Sequence, residues 1–210
     1  MSRLAIVVGV VFLGAGLLWR FPLFHIVPIG QSTTQQQASE FNAREFAEDY
    51  WQNRLIPGLS DVHDAAAVLN ALQADVPRAR SEFGRSVGIG RSTYFLVRGE
   101  GAIVLVEKNR IGVALSEGGR DPDLLIATGP VFGNAIRDAP GLLSAGDFTH
   151  SQHFNELAAE LNLLVENRVA RPLSKQAHVG RKVRFVGCIE VLGEKPTKPL
   201  KLIPLEAGVK

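Results

Sequence analysis

The feature that most constrains the fold of this 210-residue chain is a change of hydrophobic period beyond residue 90. Short, largely apolar runs come first, at 93–98, 102–106, 111–115 and 123–128, and we interpret them as strands with a period of two. A helical spacing then follows in Phe154, Leu157 and Leu161, and two further alternating runs occupy 180–191 and 200–205. Period two is typical of half-buried strands, and a spacing of three and four is typical of an amphipathic helix. The pattern predicts several strands, one long helix and then two strands.

This order of elements indicates an OB-like barrel, in which a helix lies between the third and fourth of five strands. We predict an α+β chain: an N-terminal membrane-anchor helix, a short helical segment, and an OB-like antiparallel β-barrel with one long helix inserted before the last two strands. Turns are expected at Gly99–Gly101 and Lys108–Arg110, a capping box at Thr149 and Gln152, and the end of the long helix at Pro172. A generic α+β sandwich is the alternative.

The N-terminal segment is an unbroken apolar run from Leu4 to Trp19, flanked by Arg3 and Arg20. A spanning helix needs about 17–25 residues, and Arg20 can extend this run by placing its charge at the interface. Since no small-x-small cleavage site follows, the run predicts an uncleaved signal anchor, with a cleaved signal peptide as the alternative. The charges on its two sides nearly balance, and we place the C-terminal bulk outside the cytoplasm because a short leader before one large domain is the usual export arrangement. The expected location is the bacterial inner membrane, with the soluble domain in the periplasm.

The rest of the chain divides by composition and period. Residues 1–30 form the predicted anchor, 31–38 a polar spacer, 39–80 a helical entry segment and 81–210 the OB-like domain. Helices are expected from Ser39 to Pro57 and from Asp64 to Ala74, with Phe46, Tyr50 and Trp51 on one face of the first.

The charges are distributed unevenly along the chain. The formal net charge of +2 is carried by the leader, so the remaining residues are neutral overall and give no general case for nucleic-acid binding. Within them, residues 39–167 carry −7 and residues 168–210 carry +7. A ligand or partner could meet the basic stretch at Arg181, Lys182 and Arg184, with Phe185 and Tyr94 as stacking rings on a strand face. A purely structural role for these residues, as core aromatics and as cations near a helix C-terminus, is the competing interpretation.

Several segments together resemble a known family. They are Phe46–Trp51, Gly99–Gly101, Asp147–Phe148 with Ser151–Leu157, and Val179–Gly187. The chain resembles predicted periplasmic lipoproteins of unknown function that are often encoded beside sugar-type ABC importers. The resemblance implies export, an OB-like domain and no assigned reaction. The chain departs from the lipoprotein description because its one cysteine, Cys188, is far from the leader, so anchoring by the apolar helix would replace the lipid.

Two features invite a catalytic interpretation. His150 and His153 stand with Asp147 and Glu156 at spacings of three, a workable set for a divalent metal, although helix capping explains the same residues. Cys188 lies in a predicted strand without a neighbouring histidine, which favours an inert buried thiol. We expect no cofactor and no metal site.

The sequence leaves several functions open. The leading expectation is a membrane-anchored, extracytoplasmic, non-enzymatic binding or accessory module, attached to an envelope protein or to subunits of an ABC importer. The alternatives are a domain that binds a carbohydrate or a peptide, and a metal-dependent enzyme using His150 and His153. Nucleic-acid binding would require the domain to face the cytoplasm, and is not expected. The oligomeric state is left open.

Overall fold

The computed structural model describes residues 41–60, 62–87, 92–193 and 196–210 of the chain. The predicted anchor and spacer lie outside these residues. None of the helices in the described ranges is long and apolar enough to cross a membrane. Helices α1–α6 span Ala43–Tyr50, Ala65–Ala74, Val76–Phe83, Ala135–Asp138, Ser151–Val165 and Arg171–Gln176. Strands β1–β7 span His63–Asp64, Arg85–Ser86, Ser92–Glu107, Arg110–Ala114, Leu124–Ala127, Lys182–Leu192 and Leu200–Val209.

Five of the strands close into a ring. The order is β3-β4-β5-β7-β6, and β6 pairs back onto β3. The neighbours are antiparallel except β5 and β7, which run parallel. The long helix α5 lies in the chain between β5 and β6, the third and fourth strands of the ring. This is the predicted OB arrangement, and closure of the ring excludes the open sandwich.

Strand β3 corrects one expectation. The turn predicted at Gly99–Gly101 does not exist, because Ser92–Glu107 is one continuous strand of 16 residues. Its first part pairs with β6 up to Ala102, and its remainder pairs with β4. A Cβ atom on Gly101 would lie 2.4 Å from the carbonyl oxygen of Ala114. The glycines therefore allow close approach of neighbouring strands at a barrel bend.

The start of α5 is also different from the prediction. No capping box forms at Thr149 and Gln152; the N-cap is His150, whose side chain makes no capping hydrogen bond. The capping box lies earlier, where Ser144 and Asp147 close a short 3₁₀ turn at Ala145–Asp147. The backbone is still extended at Phe148, whose ring packs 5.4 Å from that of Phe154, so the helix begins only at Ser151.

Pro172 acts differently from the prediction, whereas α2 ends at Ala74, before Pro77, as predicted. Pro172 does not end the long helix, because a π-helical turn at Glu166–Ala170 leads directly into α6. Pro172 then lies in the first turn of α6, where a missing N–H is tolerated. Pro77 likewise stands in the first turn of α3, a helix that the sequence did not predict. The helices α1 and α2 and the turn between β3 and β4 agree with the predictions.

The ring of strands separates two apolar cores, one on each face of the sheet. One core fills the barrel and extends to α2, with Phe95, Ile103 and Phe185 nearly inaccessible. The other lies between the outer face of the sheet and a layer made by α1 and α5, and it includes Tyr50 and Leu161. At the beginning of β6 and the end of β7 the sheet is open to solvent, because Lys182, Arg184, Glu206 and Gly208 are exposed there.

Candidate functional site

The turn that begins β6 is tied to the bend of β3. Gly180 adopts a φ of +89° in this turn, which favours glycine. Its N–H donates to the carbonyl oxygen of Ile103 at 2.8 Å, and the N–H of Ile103 donates to the carbonyl oxygen of Arg181 at 2.8 Å. These bonds set the direction in which β6 leaves the turn and place Arg181 and Lys182 at its first exposed positions.

A shallow groove of about 370 Å³ lies on the paired ends of β6 and β7. We call it the basic groove; its lining residues are Arg184, Phe185, Val186, Glu206, Ala207, Gly208, Val209 and Lys210. Gly208 leaves space in it, because a Cβ atom at that position would have no heavy atom within 4 Å.

Cations surround the basic groove. The side chains of Arg184 and Lys210 are 69% and 51% exposed, and both approach the carboxylate of Glu100, at 3.5 Å and 2.6 Å. The hydrogen bond from Lys210 holds the pKa of Glu100 below its ordinary value. The Nε of Arg181 donates to the carbonyl oxygen of Lys210 at 2.6 Å, which adds a third cation beside the groove.

The fourth cation, Lys182, is opposite Lys210 in the ladder, since the N–H of Lys210 donates to the carbonyl oxygen of Lys182 at 2.9 Å. Around the groove four cations therefore face two carboxylates, those of Glu100 and Glu206. A site of this kind can hold an anionic group by charge-assisted hydrogen bonds.

The predicted site residues separate into two groups. Arg181, Lys182 and Arg184 lie together at the groove, as the sequence suggested. Phe185 and Tyr94 are 1% and 7% exposed; Phe185 packs inside the barrel and Tyr94 in the core between sheet and helices. Neither ring presents a stacking face at the surface.

Four residues of the site were missed by the sequence analysis: Glu100, Glu206, Gly208 and Lys210. Lys210 belongs to the basic C-terminal stretch, so its charge was visible as part of the +7 of residues 168–210. Glu100 meets Arg184 and Lys210 only through the pairing of β3 with β6 and of β6 with β7. No local pattern predicts that register.

The histidine cluster does not assemble a metal site. Among the described residues, no group of three or more His, Cys, Asp or Glu side chains could hold a metal ion. The ring of His153 stacks on Phe41 at 4.4 Å and meets His150 edge to face at 5.2 Å. Asp147 is used in the capping box, where its Oδ2 accepts from the N–H of Ser144 at 2.7 Å.

Two other polar groups are buried in structural roles. Cys188 is 1% exposed, and burial raises the pKa of its thiol, so the reactive thiolate is disfavoured. Arg137 and Asp138 form a buried bidentate ion pair, with 2.7 Å from Nε to Oδ1 and 3.1 Å from Nη2 to Oδ2. The guanidinium of Arg137 also lies 3.6 Å from the ring centroid of Phe154.

The comparison with known proteins agrees with this fold and adds a family. Residues 8–207 match the model of a family described as predicted periplasmic lipoproteins (DUF2291). The chain belongs to this family. Membership confirms the resemblance to predicted periplasmic lipoproteins, and the family description indicates a periplasmic, membrane-associated location.

A solved structure supports the assignment of the barrel in this family member. The crystal structure of an OB-fold protein from Thermotoga maritima MSB8 superposes with a TM-score of 0.75 at 30% sequence identity, over 81% of this chain and 99% of that chain. The predicted OB-like barrel is thereby confirmed. No curated protein matches the chain.

Proposed function

We propose that this lipoprotein-family member is a non-enzymatic binding module, held at the periplasmic side of the inner membrane by its apolar leader, and that its basic groove engages an acidic region of an envelope protein. The observation that carries the proposal is the set of cations around an open groove: Arg181, Lys182, Arg184 and Lys210. Among the described side chains at the groove, Glu100 and Glu206 offset them in part, and the remaining positive charge attracts anions.

The chemistry of the groove supports binding rather than catalysis. Its lining residues contribute cations, one carboxylate, glycine and apolar groups, with no serine, cysteine or histidine among them. A serine or cysteine nucleophile paired with a histidine base, the usual arrangement of hydrolases, is therefore absent from that lining. The buried positions of Cys188 and Asp138 keep these two groups away from the groove.

The partner we propose is a subunit of a solute import system. This part of the proposal rests on the resemblance to proteins encoded beside sugar-type ABC importers. A module anchored beside the permease would meet its partner in the plane of the membrane, where tethering raises the effective concentration and allows weak contacts to suffice.

Photocrosslinking in living cells tests the proposal. A photoreactive amino acid replaces Gly208, which has open space around it, and in a matched control it replaces Arg78, whose side chain is 76% exposed. We expect adducts with permease or substrate-binding subunits from position 208 only. Combining the probe with Arg184→Glu and Lys182→Glu should abolish them. Identical adducts from both positions, or adducts of the chain with itself alone, would contradict the proposal.

A small anionic ligand is the second candidate, because a volume of about 370 Å³ is within the range of small-molecule sites. Thermal denaturation of the full chain with sugars, sugar acids and short peptides distinguishes it. A saturable rise in Tm that Arg184→Glu removes would support a small ligand. A flat response together with crosslinked subunits would support the protein partner.

A further inference from the structure

The outer edge of β7 is unpaired at its C-terminal end. Strand β7 pairs with β5 only through Leu200 to Leu202, whereas it pairs with β6 as far as Val209. In the described part of the chain, no strand therefore lies beside 203–209 on the side away from β6.

The register shows which backbone groups point to that edge. Because the N–H of Lys210 bonds to Lys182, and hydrogen-bonded pairs alternate along an antiparallel ladder, Gly208 and Glu206 also face β6. The N–H and C=O groups of Ala207 and Val209 then point outward. No hydrogen bond to these four groups is found among the described residues.

The other long edge of the barrel is covered by the chain itself. Two short strands pair with the outer edge of β3: β1 runs parallel beside Val97 and Arg98, and β2 runs antiparallel beside Thr93 and Tyr94. Covering an edge prevents it from pairing with another chain. In the described part of the chain no strand pairs with the outer edge of β7 at 203–209, and this edge borders the basic groove.

The chemistry beside the open edge indicates what would pair there. On the outer face of the sheet, Arg184, Lys210 and the open position at Gly208 border the edge. On the inner face, the partly buried Ala207 and Val209 contribute small apolar side chains to the barrel core. An added strand would therefore alternate acidic residues on one face with small apolar residues on the other.

We propose that the open edge at Ala207–Val209 binds an extended acidic segment of the envelope partner as an added β-strand. Backbone hydrogen bonds to this edge would supply pairing, and Arg184 and Lys210 would select acidic side chains. The inference rests on the proposed function and specifies how the same groove holds its partner.

The test uses the full-length chain in detergent micelles and fluorescein-labelled peptides of about ten residues that alternate Glu and Val. Two further peptides carry N-methyl groups, one on the Val amides and one on the Glu amides. Only one of these two sets can face β7, because N–H direction alternates along a strand. Fluorescence anisotropy should show that one methylated peptide binds at least about tenfold more weakly and that the other is unaffected.

Two variants of the edge provide a matched comparison. Val209→Pro removes one outward N–H at a position where an edge strand tolerates proline, and Val209→Ala keeps it. We expect the first to weaken peptide binding at least about tenfold and the second to change it less than about twofold. Circular dichroism melting of both variants checks that they are folded, and hydrogen exchange at Ala207 and Val209 should slow when the peptide is bound.

The outcomes separate this inference from the proposed function. If both methylated peptides bind as well as the parent but Arg184→Glu abolishes binding, the groove binds anions and strand addition is wrong. If no peptide binds while position 208 still crosslinks to import subunits in cells, strand addition is again wrong and the proposed function stands. If peptide binding and crosslinking both fail, both proposals are overturned.

Discussion

At the scale of single residues, the buried hydroxyl of Tyr50 is an unfavourable feature of the fold. The side chain of Tyr50 is 1% exposed, and its hydroxyl has no hydrogen-bond partner in the described part of the chain. A buried unsatisfied hydroxyl destabilises the folded state, since the unfolded chain exposes it to water. Burial also raises the pKa of the Tyr50 phenol above its ordinary value.

Replacing Tyr50 by Phe should therefore stabilise the protein, by about 1 kcal/mol at neutral pH. Above about pH 10 the unfolded chain loses the phenolic proton while the folded chain keeps it, so the wild type loses stability as the pH rises. The advantage of Tyr50→Phe should then widen, as measured by urea unfolding at neutral pH and at about pH 10.5. Tyr94→Phe is the control for the gain at neutral pH, because the Tyr94 hydroxyl is not among the buried groups without a hydrogen-bond partner in the described residues. An equal gain from both variants would contradict the interpretation.

Two glycines in the barrel predict opposite responses to one substitution. Gly101→Ala places a Cβ atom 2.4 Å from a backbone oxygen of β4, and should lower the free energy of unfolding by about 1–3 kcal/mol. Gly208→Ala meets no heavy atom within 4 Å, and should change it by less than about 0.5 kcal/mol. Chemical denaturation of the two variants measures the contrast, and similar losses at both positions would refute the proposed bend in β3.

At the scale of elements, the long helix α5 begins without a side-chain cap, unlike α1, α2 and α3. Asn42, Asp64 and Asp75 each accept a hydrogen bond from a backbone N–H at the start of α1, α2 and α3. His150 occupies the equivalent position of α5 without such a bond. The first N–H groups of a helix otherwise lack partners, so a short polar side chain there is favourable.

We expect His150→Ser to stabilise the protein by about 0.5–1 kcal/mol, because serine can cap α5. Asp64→Ala should have the opposite sign and lower stability by about 1 kcal/mol, since it removes the bond from the N–H of Ala67. Thermal unfolding of both variants tests the pair. Bound zinc measured on the wild type and on His150→Ser should be equal; a loss in the variant would revive the metal interpretation.

At the scale of the whole molecule, the N-terminal helices are part of the structure that the barrel needs. Phe41–Lys210 form one compact unit. The sheet wall contributes side chains to both cores, and α1 and α2 close those cores from the two sides. Removing α1 would take Ala47 and Tyr50 out of the core that also holds Cys188 and Leu205, and removing β1 would leave β3 unpaired on that side at Val97 and Arg98.

Truncation tests this dependence. A chain that begins at Phe41 should unfold cooperatively with a melting temperature close to that of the full chain. A chain that begins at residue 81, where the sequence analysis placed the boundary of the OB-like domain, should lack a cooperative transition and aggregate, because it exposes the apolar walls of both cores. Cooperative melting of the shorter chain would show that the barrel is independent of the helical entry segment.

The sequence predicted the barrel from the period of its apolar residues. This period is a local property, so it can be recognised without knowing which segments pair in the folded chain. The runs that became β4, β5, β6 and β7 were recognisable in this way, as was the helix α5 between them. The errors occurred where local signals were ambiguous. Gly99 and Gly101 are typical of a turn and equally of a bend within one strand, and the choice depends on the approach of β4, which is distant in sequence.

The residues of the candidate site also fall into two groups, those that the sequence indicated and those that only the fold brought together. Composition alone showed that residues 168–210 are basic, and it directed attention to Arg181, Lys182 and Arg184. Only the tertiary structure brought Glu100 and Lys210 to them and buried Phe185 and Tyr94. The type and order of elements depend on short-range periodicity, which the sequence contains directly. Strand register, and with it the neighbours of each charge and the open edge of β7, depends on pairing between segments that are separate in the sequence, such as Glu100 with Arg184 and Leu124 with Leu200, and only the closed ring of strands decides it.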